Sequence, residues 1–251
     1  MKNLFNFLKK NDKKILIVSL QKSGTHLIQN IMKEAGYIGV GVGKDCSMND
    51  FNKLKKNQYL WSHFPPSDQV QMELEQGKEP LHIIFNYRDP RDVLVSWFHW
   101  LHPSSSNNMH EHMAYMKKVY SHFSDDQLID IFINNDKFRE SEYNPIEAFR
   151  LARVLYFHPK VLNISFEDLI GENGGGSNDL QIKAIEKIFN YLNIPVSNIE
   201  SISARAFNKN SATFRKGVIG DYKSILNSEK IKLFNDCHGD ILKQYGYKKD
   251  D

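Results

Sequence analysis

Residues 15 to 25 read Ile-Leu-Ile-Val-Ser-Leu and then Gln-Lys-Ser-Gly-Thr. The first part is almost wholly apolar, the pattern of a strand buried on both faces of a parallel sheet. A helical pattern follows at once. Leu27, Ile28, Ile31 and Met32 share one face, and Gly36 stands where a glycine ends a helix. Strand, tight loop and helix N-terminus together make an anion site, because free backbone N–H groups and the positive end of the helix dipole point at it. Gly24 would let the backbone approach closely. Lys22 adds a full charge, and Ser23 and Thr25 add hydroxyl donors. The same residues also fit an ordinary strand-to-helix turn with a solvated lysine. They do not fit the nucleoside triphosphate loop Gly-x-x-x-x-Gly-Lys-Ser/Thr, because Lys22 precedes the loop's glycine.

Length and charge narrow the class. A chain of 251 residues with 41% hydrophobic and 25% charged content fits one α/β domain with a sizeable core. A net charge of +3 is too small to imply nucleic acid, but it suits a small anion held locally. Cys46 and Cys237 form no CxxC or disulfide framework, so reduced thiols in a cytoplasm are expected. Residues 1–13 read as an N-terminal extension without the apolar core of a signal peptide. No run approaches the ~18 apolar residues of a membrane span.

Further along, Tyr37 to Lys44 carries Gly39, Gly41 and Gly43 and reads as a loop. Gln58 to Phe64 reads as a strand stopped by Pro65 and Pro66, leaving His63 at the sheet edge where open α/β folds bind ligands. Ser67 to Gln76 reads as a helix. Leu81 to Tyr87 is another buried strand. It leads into Arg88, then Asp89 as N-cap and Pro90 as first helical residue, and an apolar helix to Leu101. Arg88, at the strand end, and Ser96, in that helix, could reach one anion, Arg88 bidentately.

Residues 102–124, rich in Ser, His, Met and Tyr, read as a mobile insertion over the site. Their histidines stand at no recognised zinc spacing, and no metal is expected. Helices are expected over Ser124 to Asn134, Pro145 to Phe157, Asp179 to Leu192, Ser197 to Phe207 and Glu229 to Tyr245, with a strand at Val161 to Phe166. Gly174, Gly175 and Gly176 read as a flexible surface loop.

Three basic patches remain: Lys22 to Thr25, Arg88 with Ser96, and Arg215 to Gly217. In order and in local chemistry the chain resembles the cytosolic-type sulfotransferases, which use 3′-phosphoadenosine 5′-phosphosulfate (PAPS). Gln21-Lys22-Ser23-Gly24-Thr25-His26-Leu27 resembles the family's 5′-phosphosulfate loop, Pro-Lys-Ser-Gly-Thr-Thr-Trp. Tyr87 to Ser96 resembles its 3′-phosphate motif. Phe214-Arg215-Lys216-Gly217 with Gly220-Asp221-Tyr222-Lys223 resembles its Arg-Lys-Gly-x-x-Gly-Asp-Trp-Lys signature. Ser62-His63-Phe64-Pro65 falls where the family keeps its catalytic histidine. The resemblance runs from about residue 14 to about 226.

It implies a P-loop-like three-layer fold with a central parallel sheet flanked by helices. It also implies sulfuryl transfer from PAPS to a hydroxyl of a small acceptor, with the bisphosphate PAP as product and no metal. By this resemblance Lys22 stabilises the leaving oxygen and Ser23 restrains Lys22 until the acceptor binds. His63 takes the acceptor proton. The loop from Lys22 and Ser23 through Gly24, Thr25 and His26 holds the 5′-phosphate, and Arg88, Ser96, Arg215, Lys216 and Gly217 grip the 3′-phosphate.

The sequence departs from the family at Gln21, His26 and Leu27, at Trp61 where a lysine is common, at Phe166 where a tyrosine is common, at Tyr222, and at Ala204. The Leu27 and Ala204 changes remove aromatics that normally pack the adenine. Trp97, Phe98, His99, Trp100, Met109, Met113, Tyr115 and Met116 could line an apolar acceptor pocket for an alcohol, phenol or lipid, although several of them, Trp97 first, fit core or helix packing better. Two rivals make different predictions: a small-molecule kinase would bind magnesium-ATP, and a non-catalytic relative would bind nucleotide without turnover.

Overall fold

The computed structural model describes residues 13–43, 46–77, 80–105, 111–134, 145–207 and 215–250. The elements in chain order are β1 (Lys14–Ser19), α1 (Thr25–Glu34), β2 (Ile38–Gly41), α2 (Met48–Asn52), β3 (Gln58–Ser62), α3 (Asp68–Gln76), β4 (Leu81–Tyr87), α4 (Pro90–Leu101) and α5 (Glu111–Tyr120). They continue with α6 (Asp125–Asn134), α7 (Pro145–Leu151), α8 (Arg153–Tyr156), β5 (Val161–Ser165), α9 (Phe166–Leu169), α10 (Asn178–Tyr191), α11 (Ile199–Ala206) and α12 (Ser228–Gln244).

The strands form one all-parallel sheet in the order β2-β3-β1-β4-β5. Its two faces are covered separately, because successive side chains on a strand point to opposite faces. Leu16, Val18, Ile83 and Phe85 join the core under α4, α6, α7 and α12. Ile15, Ile17, Ile84 and Ile164 join the core under α1, α10 and α11. This is the three-layer arrangement that the apolar runs imply. From β1 the chain goes to β2 and β3 on one side, and after β3 it crosses to β4 and β5 on the other. The strand order therefore reverses between β1 and β4, and a crevice opens at their C-terminal ends, the place where such sheets bind ligands.

The structure corrects several local expectations. The glycine-rich stretch after Tyr37 is not a loop throughout: Ile38–Gly41 is the edge strand β2, paired with β3. Its glycines leave room for the neighbouring aromatics. A Cβ on Gly39 would lie 2.8 Å from the Tyr59 hydroxyl, and one on Gly41 would lie 3.0 Å from the Trp61 ring. Within residues 102–124, Glu111–Tyr120 is helical; its Tyr120 enters the core, and the Lys117 ammonium bonds the Ser105 carbonyl at 2.6 Å. The helix expected over Pro145 to Phe157 is broken at Ala152 into α7 and α8. Gly174 is buried rather than a flexible surface residue. A Cβ there would come within 2.4 Å of the Gly217 carbonyl oxygen, and Ile219 N–H donates to the Gly174 carbonyl.

Candidate active site

The β1–α1 turn is held open from below. Lys22 (φ 64°) and Gly24 (φ 90°) both take left-handed backbone, which costs a non-glycine residue about 1–2 kcal/mol. Asn86, fully buried near the end of β4, offsets this by donating to the Ser23 carbonyl at 2.8 Å and the Ser19 hydroxyl at 2.9 Å. Ser19 in turn bonds the Thr25 hydroxyl at 2.9 Å. Thr25 therefore offers an anion its backbone N–H foremost. No side chain caps α1. The Ser23 hydroxyl is buried without a hydrogen-bond partner among the described residues. Such an orphan is expensive in a finished core and calls for a partner.

Phe166 lies under this turn. A Cβ on Gly24 would come within 2.7 Å of its ring, and the Arg88 guanidinium sits 4.3 Å from its centroid. The residue that lacks a hydroxyl is thus the shared floor of the β1–α1 turn and of Arg88.

Arg88 is buried at the end of β4. It donates to the Val218 carbonyl at 2.6 Å and pairs with Asp92 at 3.0 Å, while its Nε has no partner among the described residues. Asp92 also accepts from Gly220 N–H at 2.9 Å and Tyr222 N–H at 3.0 Å, so one carboxylate ties α4 to the 215–224 loop. On that loop Asp221 pairs with Arg215 and, at 2.9 Å, with Lys216. Arg215 Nε is likewise buried and unpartnered. Ser96 lies one turn beyond Asp92 on the same face of α4, half-buried. Gly217 takes φ 61° beside Gly174.

Two groups have proton affinities suited to chemistry. Burial lowers the Lys22 ammonium to about 8, and the fields of Arg215 and Arg88 push the same way. Three cations from three separate stretches thus crowd one spot. The Lys22 ammonium stands 5.0 Å over the Trp100 ring, a cation–π contact that holds it above α4. His63 Nδ1 lies 2.8 Å from the Ser19 carbonyl. A carbonyl only accepts, so Nδ1 carries the hydrogen and Nε2 keeps its lone pair. Burial lowers the imidazole below its ordinary value; the Ser19 bond opposes this, and His26 and Lys22 reinforce it. The Trp61 ring meets His63 edge-on at 5.3 Å.

The sulfotransferase domain profile matches residues 12–246. The chain belongs to the sulfotransferase family. Among solved structures it is similar to mouse sulfotransferase SULT7A1 complexed with PAP. The TM-score is 0.63 at 16% identity, covering 94% of this chain and 85% of that one. It is also similar to retinol dehydratase in a complex with retinol and PAP (TM-score 0.59, 16% identity, 96% and 84% covered). A third match is retinol dehydratase with androsterone and inactive cofactor PAP (TM-score 0.60, 16% identity, 96% and 83% covered). At these identities the likeness shows the fold. No curated protein matches the sequence significantly.

In this sulfotransferase the residues expected on the acceptor side divide. Trp97 and Phe98 are core residues, 2% and 3% exposed. Trp100 and His99 are half-buried on the Ser96 side of α4, and His99 Nε2 has no partner. Tyr115 is exposed. Met109 lies outside the described residues, as do the Met113 and Met116 side chains and Phe214. Leu27 is buried in the core, Ala204 is exposed, and His26 is exposed. Among the described residues no metal-binding cluster forms, and no helix is long and apolar enough to cross a membrane. His102 bonds Asp125 at 2.9 Å instead.

Asn86 is not among the residues expected at the site; a polar side chain inside the run Ile83-Ile84-Phe85-Asn86 is its available signal. Phe166 stands out in the sequence only as a departure from the family's tyrosine.

Proposed function

We propose that this chain moves the sulfuryl group of PAPS to the hydroxyl of a small apolar acceptor, with Lys22 and His63 as its catalytic pair. The observation that carries the reading is the convergence of Lys22, Arg88 and Arg215, together with buried, unpartnered donors at Ser23 Oγ, Arg88 Nε and Arg215 Nε. These groups fit a ligand with two separated phosphates. The α1 amides with Ser23 to His26 hold the 5′ end, and Arg88, Ser96, Arg215, Lys216 and Gly217 hold the 3′ end. Asp92 and Asp221 keep the two arginines aimed in the meantime.

The reaction is an in-line displacement in which positioning and charge stabilisation do most of the catalysis. His63 Nε2 accepts the acceptor's hydroxyl proton as the new S–O bond forms. Lys22 leaves the Trp100 face and stabilises charge on the bridging oxygen as the S–O bond to phosphate breaks. The Ser23 hydroxyl is available to hold Lys22 between these positions. PAP departs and no metal takes part. Trp100 forms one wall of the acceptor side, which suits an apolar alcohol, phenol or lipid, the character of the retinol and androsterone in the solved relatives. Cys46 and Cys237 as free thiols suit a cytoplasmic setting.

The pH profile of kcat/KM follows from the free-enzyme groups. His63 must be neutral, and its affinity is held below the ordinary value of ~6.5, so activity falls as pH drops through that lowered value. Lys22 must be charged, so activity falls again as pH rises through about 8. The Lys22→Arg variant, charged throughout, should lose the alkaline limb while keeping the acid one. An alkaline limb unmoved in that variant would remove Lys22 from the account.

Transfer of radiolabelled sulfate from PAPS to a panel of alcohols, phenols and sterols, with EDTA present, tests the reading directly. Labelled sulfate ester on some member is expected. No transfer to any of them, with γ-phosphate transfer from magnesium-ATP instead, would overturn it.

A further inference from the structure

The segment after α12 turns at Gly246 (φ 80°), with Tyr247 N–H bonded to the Leu242 carbonyl at 2.8 Å, and runs back toward the crevice edge of the sheet. The Lys249 side chain lies over Gly239, where a Cβ would come within 2.3 Å of it. Asp250 then reaches both elements proposed to grip the 3′ end of the donor, and Tyr247 reaches the first of them through Glu167. The Tyr247 hydroxyl donates to Glu167 at 2.9 Å, and the other Glu167 oxygen accepts from Asp89 N–H at 3.0 Å. The Asp250 carboxylate accepts from Arg91 at 2.9 Å and from the Tyr222 hydroxyl, and pairs with Lys223 at 3.2 Å. Asn235 bonds the Asp250 carbonyl at 2.9 Å, fixing its height.

Asp89 and Arg91 follow Arg88 across the β4–α4 junction. Tyr222 and Lys223 follow Asp221, the partner of Arg215 and Lys216. The Arg91 guanidinium also stacks 4.3 Å over the Tyr222 ring. Asp92 therefore joins the two phosphate-holding elements at the front and Asp250 joins them at the back. The front tie must share Asp92 with Arg88, and Arg88 and Arg215 bring like charges together. Each element alone is a short loop or helix start. Their spacing sets whether both arginines meet one phosphate.

We infer that the C-terminal tail, through Tyr247 and Asp250, is a positioning element of the donor site that holds Arg88 and Arg215 at the separation a single phosphate requires. This rests on the donor reading above. It makes a reciprocal claim as well: a donor that needs the tail in place must in turn hold the tail in place.

The test uses the full chain with PAP as probe. Asp250→Ala should weaken PAP binding by about tenfold, inside the 5–150-fold range of ordinary site coupling. The loss should fall on KM for the donor rather than on kcat. Asp250→Asn, which keeps acceptors for Arg91 and Tyr222, should recover part of it. Amide hydrogen exchange across residues 246–250 should slow when PAP is added. Should Asp250→Ala not fold, Tyr247→Phe, which removes one hydroxyl, carries the same comparison. A lowered Tm with the PAP dissociation constant unchanged, or tail exchange indifferent to PAP, would overturn the inference while leaving the donor reading intact. Wild-type chain that fails to bind PAP overturns both.

Discussion

His63→Ala is expected to lower kcat by about 10²–10⁴-fold, the usual contribution of a positioned general base. Donor binding should survive, because His63 touches the Ser19 carbonyl and the Trp61 edge rather than the phosphate-gripping residues. The argument is geometric first. The Ser19 carbonyl fixes the tautomer and leaves Nε2 as the proton acceptor. Burial, aided by the nearby His26 and Lys22 charges, keeps the ring neutral at working pH. The substitution also strands the Ser19 carbonyl, so a Tm is measured alongside, and single-turnover rates at saturating donor isolate the chemical step. A rate within a few-fold of wild type in well-folded His63→Ala would remove the base from the mechanism, since a few-fold lies far below the ordinary range.

Lys22→Met carries the second large effect. Loss of one preorganised charge donor at the developing oxyanion costs about 10²–10³-fold in kcat. Methionine keeps the length of the side chain while removing its charge and the cation–π contact with Trp100. Methionine and lysine tolerate the left-handed backbone equally poorly, so the φ of 64° adds no difference between variant and parent. PAP has no S–O bond to break, so its affinity does not report the charge that develops on the bridging oxygen in the transition state, and it should change far less than kcat. A variant whose loss appears wholly in PAP affinity would recast Lys22 as a phosphate anchor.

The parts of the molecule legible in the sequence were those whose signal is local. β1 and β4 are runs of apolar residues. Asp89 and Pro90 announce α4, and its Asp89 carboxylate does accept from Arg91 N–H at 2.9 Å. Lys22, His63, Arg88 and Arg215 stand at strand ends or beside glycines, where chemistry-bearing residues are conspicuous. The misses all depend on distant partners. β2 has no periodicity of its own, because Gly39 and Gly41 lend their space to Tyr59 and Trp61 across the sheet. Gly174 looks like a mobile linker until Gly217 is packed on it. Asn86, Phe166 and Asp250 act on residues far away in sequence, and nothing beside them in the chain says so. The acceptor side suffers most. Trp97 and Trp100 are alike by composition, yet one is core and the other faces Lys22.

The proposed donor site is also lopsided. The residues proposed for its phosphate ends are densely built, whereas Leu27 lies in the core and Ala204 has no ring. Affinity for the donor should therefore come chiefly from charge, and it should weaken steeply as salt rises.

The most direct test of this account is calorimetric titration of the purified chain with PAP in EDTA, beside ATP with magnesium, for wild type and Arg88→Ala. Metal-free binding of PAP that collapses in Arg88→Ala, with magnesium-ATP binding weaker or absent, is the predicted result. Silence toward PAP with clear binding of magnesium-ATP would contradict the donor site and every catalytic role assigned from it.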